Sequence, residues 1–207
     1  MYNLLVSLAV GIATTLLFGF IFGGGELSIG YGIVPGLLFF FGTFFFLARR
    51  VMKQVEAIVQ SAQPELQNRK IERAIDIMKT AYPLAKWQFF LRSQIDGQIG
   101  TILFAAQKFD DAEGFLQRSF KRNWVPRAML AVLFYKQKKL DEMKEVFEEA
   151  VIANKKQALL WNLYAYCLWK QNQRDEAIEV LNRAVEHVTD EKTERNLKAL
   201  QNNRKMK

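Results

Sequence analysis

Residues 158–190 read ALLWNLYAYCLWKQNQRDEAIEVLNRAVEHVTD, and the fold turns on this stretch. The acidic pair Asp175-Glu176 is followed by the small Ala177, then by the large apolar Leu181 and the small Ala184. The same figure stands upstream as Asp141-Glu142 with Met143, Phe147 and Ala150, and as Asp110-Asp111 with Ala112, Leu116 and Ser119. Ala112, Met143 and Ala177 lie 31 and 34 residues apart. A period in that range predicts stacked helical hairpins, because one hairpin cannot bury its apolar face alone and a neighbour must cover it. Stacks of this kind bind other proteins more often than they do chemistry.

Each of these segments is preceded by a second apolar helix pattern. The third unit has Trp161, Tyr164-Ala165 and Leu168, the second Leu130-Ala131 and Phe134, and the first Ile99-Gly100 and Leu103. Small residues at a helix crossing let two backbones approach, and bulky ones fill the space between hairpins. With these residues in place, the chain resembles the tetratricopeptide repeat family. The match is best over 158–190 and extends over 93–123 and 124–157, with a degenerate helix pair within 49–82. Three departures stand out: the tryptophan position is Asp96 in the first unit and Arg127 in the second, and Thr189 stands where the third would end in Pro. Leu197 and Leu200 on an otherwise polar stretch fit a capping helix at the open end.

Working outward to the N-terminus, the composition changes abruptly. Residues 1–48 carry one charged side chain, Glu26, whereas all 29 Lys and Arg lie at or beyond Arg49, against 20 acidic residues, leaving that part at +9. Residues 4–22 form an uncharged run about 28 Å long as a helix, and 33–48 a second of about 24 Å, extended toward Tyr31 or into the next helix, with a span that snorkelling Arg49 and Arg50 can complete. The glycine-rich 23–30 joins them, and Pro35 sits in the first turn of the second helix. Six phenylalanines in 39–46 leave no polar face for a soluble core. An uncharged start, a long core and a second apolar run argue against a cleaved leader. The expectation is a transmembrane hairpin with Arg49, Arg50 and Lys53 on the cytoplasmic side, both termini inside and the loop outside. Ser7, Gly11, Thr15, Gly19 and Gly23 lay a strip of small side chains along the first span, and Gly32 and Gly36 match it on the second. Small strips let helices pack in lipid, here against each other or against another membrane protein.

Past Arg50, Val51, Val55, Ile58, Val59 and Ala62 keep a helical period, predicting one continuous rod that ends near Pro64. A long helix is expected over 84–107. The sequence thus divides into 1–48 (hairpin), 49–82 (juxtamembrane helix and degenerate pair) and 83–207 (repeats and cap). The expected class is all-α, a two-helix transmembrane hairpin followed by a right-handed α-solenoid of three to four hairpins.

The resemblance implies that the first helix of each unit lines a groove. Carried over, the groove residues are Phe104 from the first unit, Val125, Met129, Val132 and Tyr135 from the second, and Leu159, Asn162, Leu163, Tyr166 and Trp169 from the third. Of these only Asn162 is of the type that grips a peptide carboxylate, so the groove suits an apolar helix or peptide. It is either open or filled by the chain's own C-terminal helix or the 84–107 helix. No catalytic or metal constellation is legible. His187 is the only histidine and Cys167 the only cysteine, and the Gly23–Gly25 run precedes no Lys-Ser/Thr. The acidic pairs suit helix starts, where negative charge meets the dipole. No enzyme, cofactor, small-molecule substrate or nucleic-acid partner is expected, the positive charge being suited to a domain facing an anionic leaflet.

The reading is a membrane-anchored adaptor that recruits an unnamed protein partner, with a layout resembling bacterial inner-membrane proteins that carry an anchor hairpin and repeats. Two alternatives stand beside it: a structural subunit docking through its hairpin, and an accessory factor handling unfolded client segments.

Overall fold

The computed structural model describes residues 1–24, 26 and 28–206. Gly25 and Leu27 of the expected glycine-rich turn, and Lys207, lie outside the described residues. All regular structure among the described residues is helical. The chain divides into two compact units, Met1–Ile95 and Asp96–Lys207.

The first unit begins with α1 (Tyr2–Phe22) and α2 (Ile29–Gln67), followed by α3 (Ile71–Lys79) and a 3₁₀ turn at Tyr82–Lys86. Both α1 and α2 are long and apolar enough to cross a membrane, and little of their apolar stretches is buried, 17 % and 11 %. The second helix starts at Ile29, two residues before Tyr31, so 29–48 is about 30 Å long as a helix. Pro35 and Pro64 both lie within α2, which runs to Gln67 instead of ending near Pro64. A proline in the last turn removes one hydrogen bond while its own carbonyl still accepts, here from Asn68 N–H at 3.0 Å. Beyond its apolar stretch α2 buries Val51, Val55 and Ala62, and α3 packs on it with Ala74, Ile75 and Met78 buried.

The expected long helix over 84–107 does not form. Its first part is the 3₁₀ turn, then Phe90 takes a left-handed φ of 59°, and α4 (Leu91–Ala105) starts afresh.

The second unit continues from α4 through α5 (Phe109–Gln117), α6 (Trp124–Lys136), α7 (Leu140–Ala153), α8 (Ala158–Lys170), α9 (Arg174–Val185) and α10 (Glu191–Gln201). Helices α5, α7 and α9 open with the acidic pairs 110–111, 141–142 and 175–176 in their first turns. The residues of the repeat figure are buried, its alanines as fully as the large Leu116, Phe147 and Leu181. Ala112, Ala150, Ala177 and Ala184 expose nothing, and a Cβ on Gly100 would come within 2.8 Å of Leu116 Cδ2. Phe147 of α7 stacks on Tyr164 of α8 with centroids 4.8 Å apart, joining the second hairpin to the third.

The first helix of each hairpin ends identically. Gln107, Lys138 and Asn172 have φ of 61–62°, and each closes its helix with the same pair of backbone bonds. For α6 these are Lys138 N–H to Tyr135 O (3.1 Å) and Lys139 N–H to Phe134 O (2.9 Å), the Schellman arrangement. Arg69 ends α2 and Asn203 ends α10 in the same way.

Candidate functional site

The outer edge of α8 carries the most exposed of the expected groove residues. Leu159 is 59 % exposed and Tyr166 41 %, while Leu163 and Trp169 are half-buried. The Tyr166 and Trp169 rings sit 5.8 Å apart, and Lys170 Nζ lies over both, 5.6 and 5.0 Å from their centres. A cation over aromatic faces is held by the ring quadrupole and orders a patch that is apolar in area yet positive in charge. On α6, Val125, Met129, Val132 and Tyr135 are half-buried. Phe104 is half-buried on α4, its ring edge-on to Phe109 at 5.3 Å.

Asn162 departs from the expectation. It is buried, its Nδ2 donates to Thr193 Oγ1 (2.7 Å) and Ala158 O (2.9 Å), and its Oδ1 accepts from Asn196 Nδ2 (2.8 Å). Its amide is spent on α10, which covers that side of α8, so it is a joint within the domain and faces no partner. Asp190 starts α10, its Oδ2 accepting from the Thr193 N–H at 2.8 Å and hydroxyl at 2.7 Å. These bonds hold the Asp190 carboxyl below its usual range.

The two departures at the tryptophan position are resolved by ion pairs. Asp96 is buried, with Arg118 Nε 3.6 Å from its carboxylate. Arg127 is buried, and its Nη2 reaches Glu149 Oε2 at 2.7 Å, Glu149 also accepting from Lys121 at 3.0 Å. Trp161 itself is buried, donating from Nε1 to Lys155 O at 2.9 Å under the Arg183 guanidinium. Arg183 also forks onto Glu148 with bonds of 2.9 and 2.8 Å. That fork holds the Glu148 carboxyl below its usual range, against the opposing effect of burial. Sequence reading missed these pairs because each partner lies 22 to 35 residues away.

Within the first unit, the small residues of the two apolar helices face each other. A Cβ on Gly32 would fall 1.9 Å from Thr15 O, and one on Gly36 1.9 Å from Thr15 Oγ1 and 2.9 Å from Gly11 O. A Cβ on Gly11 would come 3.0 Å from Phe40 Cβ. Ser7 and Thr15 turn their hydroxyls onto Asn3 O (2.7 Å) and Gly11 O (2.9 Å) of their own helix. Gly19 is buried, and Gly23 ends α1 with its N–H on Gly19 O at 3.1 Å. Arg49, Arg50 and Lys53 are exposed just beyond the apolar stretch of α2.

No group of three His, Cys, Asp or Glu suited to a metal ion occurs among the described residues. Cys167 is buried, and burial pushes its thiol up to about 12, far from the thiolate a nucleophile needs. His187 is exposed, with its ring 6.3 Å from Trp161.

Compared with known proteins, residues 134–202, from the end of α6 through α10, match the tetratricopeptide repeat family. No curated protein matches the chain. Helical repeats of this family are scaffolds for protein–protein interaction.

Proposed function

We propose that this tetratricopeptide-repeat chain is a membrane-anchored adaptor, held in a bilayer by α1 and α2 and presenting the second unit to a protein partner in the cytoplasm. The observation that carries the partner-binding half is the Tyr166–Trp169–Lys170 cluster on α8. Large aromatic side chains left partly in water cost free energy, and Tyr and Trp are the residues that most often dominate binding at interfaces. With Leu159 on the same helix and Tyr135, Val132 and Met129 on α6, the patch suits the apolar face of a helix or peptide. The lysine favours an acidic residue at the edge of that peptide.

Two features support the anchoring half. A core helix of a water-soluble protein would bury most of its apolar side chains, whereas α1 and the first half of α2 leave theirs outside. The two apolar stretches match each other and the thickness of a hydrocarbon core, about 30 Å. Arg49, Arg50 and Lys53 at the end of the second stretch favour a cytoplasmic placement of everything beyond, since Glu26 is the sole charge in the connecting loop. The inner membrane of a bacterium is the setting this layout suits.

A photo-crosslinking residue at Tyr166, in membranes of the native host, tests the reading. It expects one discrete protein adduct, weakened in a Trp169→Ala background. Adducts only to the chain's own helices would refute an open partner face, and a smear of many proteins would replace adaptor with client handling.

A further inference from the structure

The first turn of α1 holds an unpaired buried amide. Asn3 is 2 % exposed, and neither its Oδ1 nor its Nδ2 has a hydrogen-bond partner among the described residues. An unmet buried donor or acceptor forfeits its hydration with nothing in return, so native structures nearly always pair it with protein, water or a bound group. The backbone around it is held firmly. Asn3 N–H donates to Trp87 O at 3.3 Å, and the Tyr2 ring meets the Trp87 ring edge-on at 5.3 Å.

Asn3 lines a cavity of about 270 Å³ whose other walls are Leu47, Arg50, Val51, Gln54 and Trp87. A water takes about 30 Å³, so the space admits a compact polar group together with the atoms bonded to it. The walls select its charge. Arg50 brings a full positive charge and no acidic side chain lines the cavity, while Asn3, Gln54 and Trp87 are residue types that donate neutral hydrogen bonds. A guanidinium with amide donors recognises an oxyanion, and phosphate above all. The floor, Leu47 and Val51, is apolar.

The level of the cavity along the helix narrows the source. Ala48 ends the uncharged stretch and Arg49 begins the charged one, so the cavity straddles the line between the two. In a bilayer that line is the headgroup layer, where tryptophan and basic residues gather and where phosphodiesters are the abundant anions. We propose that this cavity binds the phosphodiester headgroup of an anionic phospholipid, Arg50 meeting the anionic oxygens and the Asn3 amide donating from within. This assignment rests on the reading of α1 and α2 as membrane spans.

The test uses the full chain purified in a non-ionic detergent. Its thermal midpoint is followed on titration with phosphatidylglycerol, phosphatidylcholine or inorganic phosphate, for the wild type and for Arg50→Gln, Asn3→Leu and Lys53→Gln. Phosphatidylglycerol is expected to raise the wild-type midpoint more than phosphatidylcholine does. Arg50→Gln should weaken the apparent affinity for it about tenfold, as the loss of one charge-assisted bond implies. Asn3→Leu should leave the midpoint without lipid unchanged or higher, yet lose the response. Lys53→Gln, an equal loss of charge away from the cavity, should keep it. Equal responses to the two lipids, or equal losses in Arg50→Gln and Lys53→Gln, would overturn the proposal. So would inorganic phosphate reproducing the shift, by assigning the cavity to free phosphate. Carbonate extraction of native membranes is read separately: release of the wild type would refute the spans themselves, whereas retention with no lipid preference would refute the headgroup site alone.

Discussion

Lys138 shows at one position how this array closes its turns. It sits at φ 61°, a left-handed conformation that costs an ordinary side chain about 1–2 kcal/mol, and Gln107 and Asn172 repeat it in the neighbouring hairpins. Lys138→Gly should therefore stabilise the protein by about 0.5–1 kcal/mol, the relief of strain less the entropy glycine loses on folding, read as a rise in thermal midpoint. The acidic pairs that follow announced where these turns fall, but the left-handed residue at Gln107 and Lys138 was not legible, because the usual glycine is absent; Asn172 is of a type that accepts the conformation. The buried alanines of the repeat figure were legible, since small residues recurring at fixed offsets are what a close helix crossing demands. Glu148 gives a second residue-scale expectation. Its carboxyl is held below the usual range by Arg183, so the fork contributes above the unfolded value of about 4.3 and is lost as pH falls through the folded value. The midpoint of Glu148→Gln should lie below wild type at pH 7, and the gap should narrow progressively as pH falls below the unfolded value of about 4.3. A gap that does not narrow on acidification would mean that the fork contributes nothing through its charge.

Among the elements, the contact of α1 with α2 is set by absent side chains. Gly32 stands against the Thr15 carbonyl and Gly36 against Gly11 O, backbone atoms that cannot rotate away. Gly32→Ala should force the helices apart and lower the thermal midpoint of the detergent-solubilised protein. Gly42→Ala, where nothing lies within 4 Å, should leave it unchanged or raise it through better helix propensity. Equal effects from both would mean that the close approach does not hold the pair. The strip of small residues announced such a contact by its four-residue period, but a period cannot say which helix lies opposite. Boundaries were the least legible feature. Pro64 reads as a stop, yet a proline in a final turn forfeits a single bond and α2 runs on to Gln67. The expected 84–107 helix fails for a different reason: Phe90 adopts a positive φ that no residue-type preference foretells.

For the whole molecule, two long apolar helices and a charged helical repeat array are joined in one chain, and the proposed function depends on a membrane lying between the Glu26 loop and the repeats. The division was visible in charge alone, since residues 1–48 hold no Lys or Arg. The groove residues were assigned only by analogy with the repeat family, which is why Asn162 was placed at a partner face although α10 consumes its amide. Hydrogen bonds across 31 and 34 residues leave no local trace in a sequence. The central claim, a membrane-spanning hairpin with the repeats inside, is tested most directly by labelling intact cells with a membrane-impermeant maleimide. The native Cys167 is buried with its thiol pushed up to about 12, so the background should be silent. The account predicts labelling of Glu26→Cys from outside, and labelling of Tyr166→Cys only after the cells are opened. Labelling of Tyr166→Cys in intact cells, with Glu26→Cys protected, would contradict it.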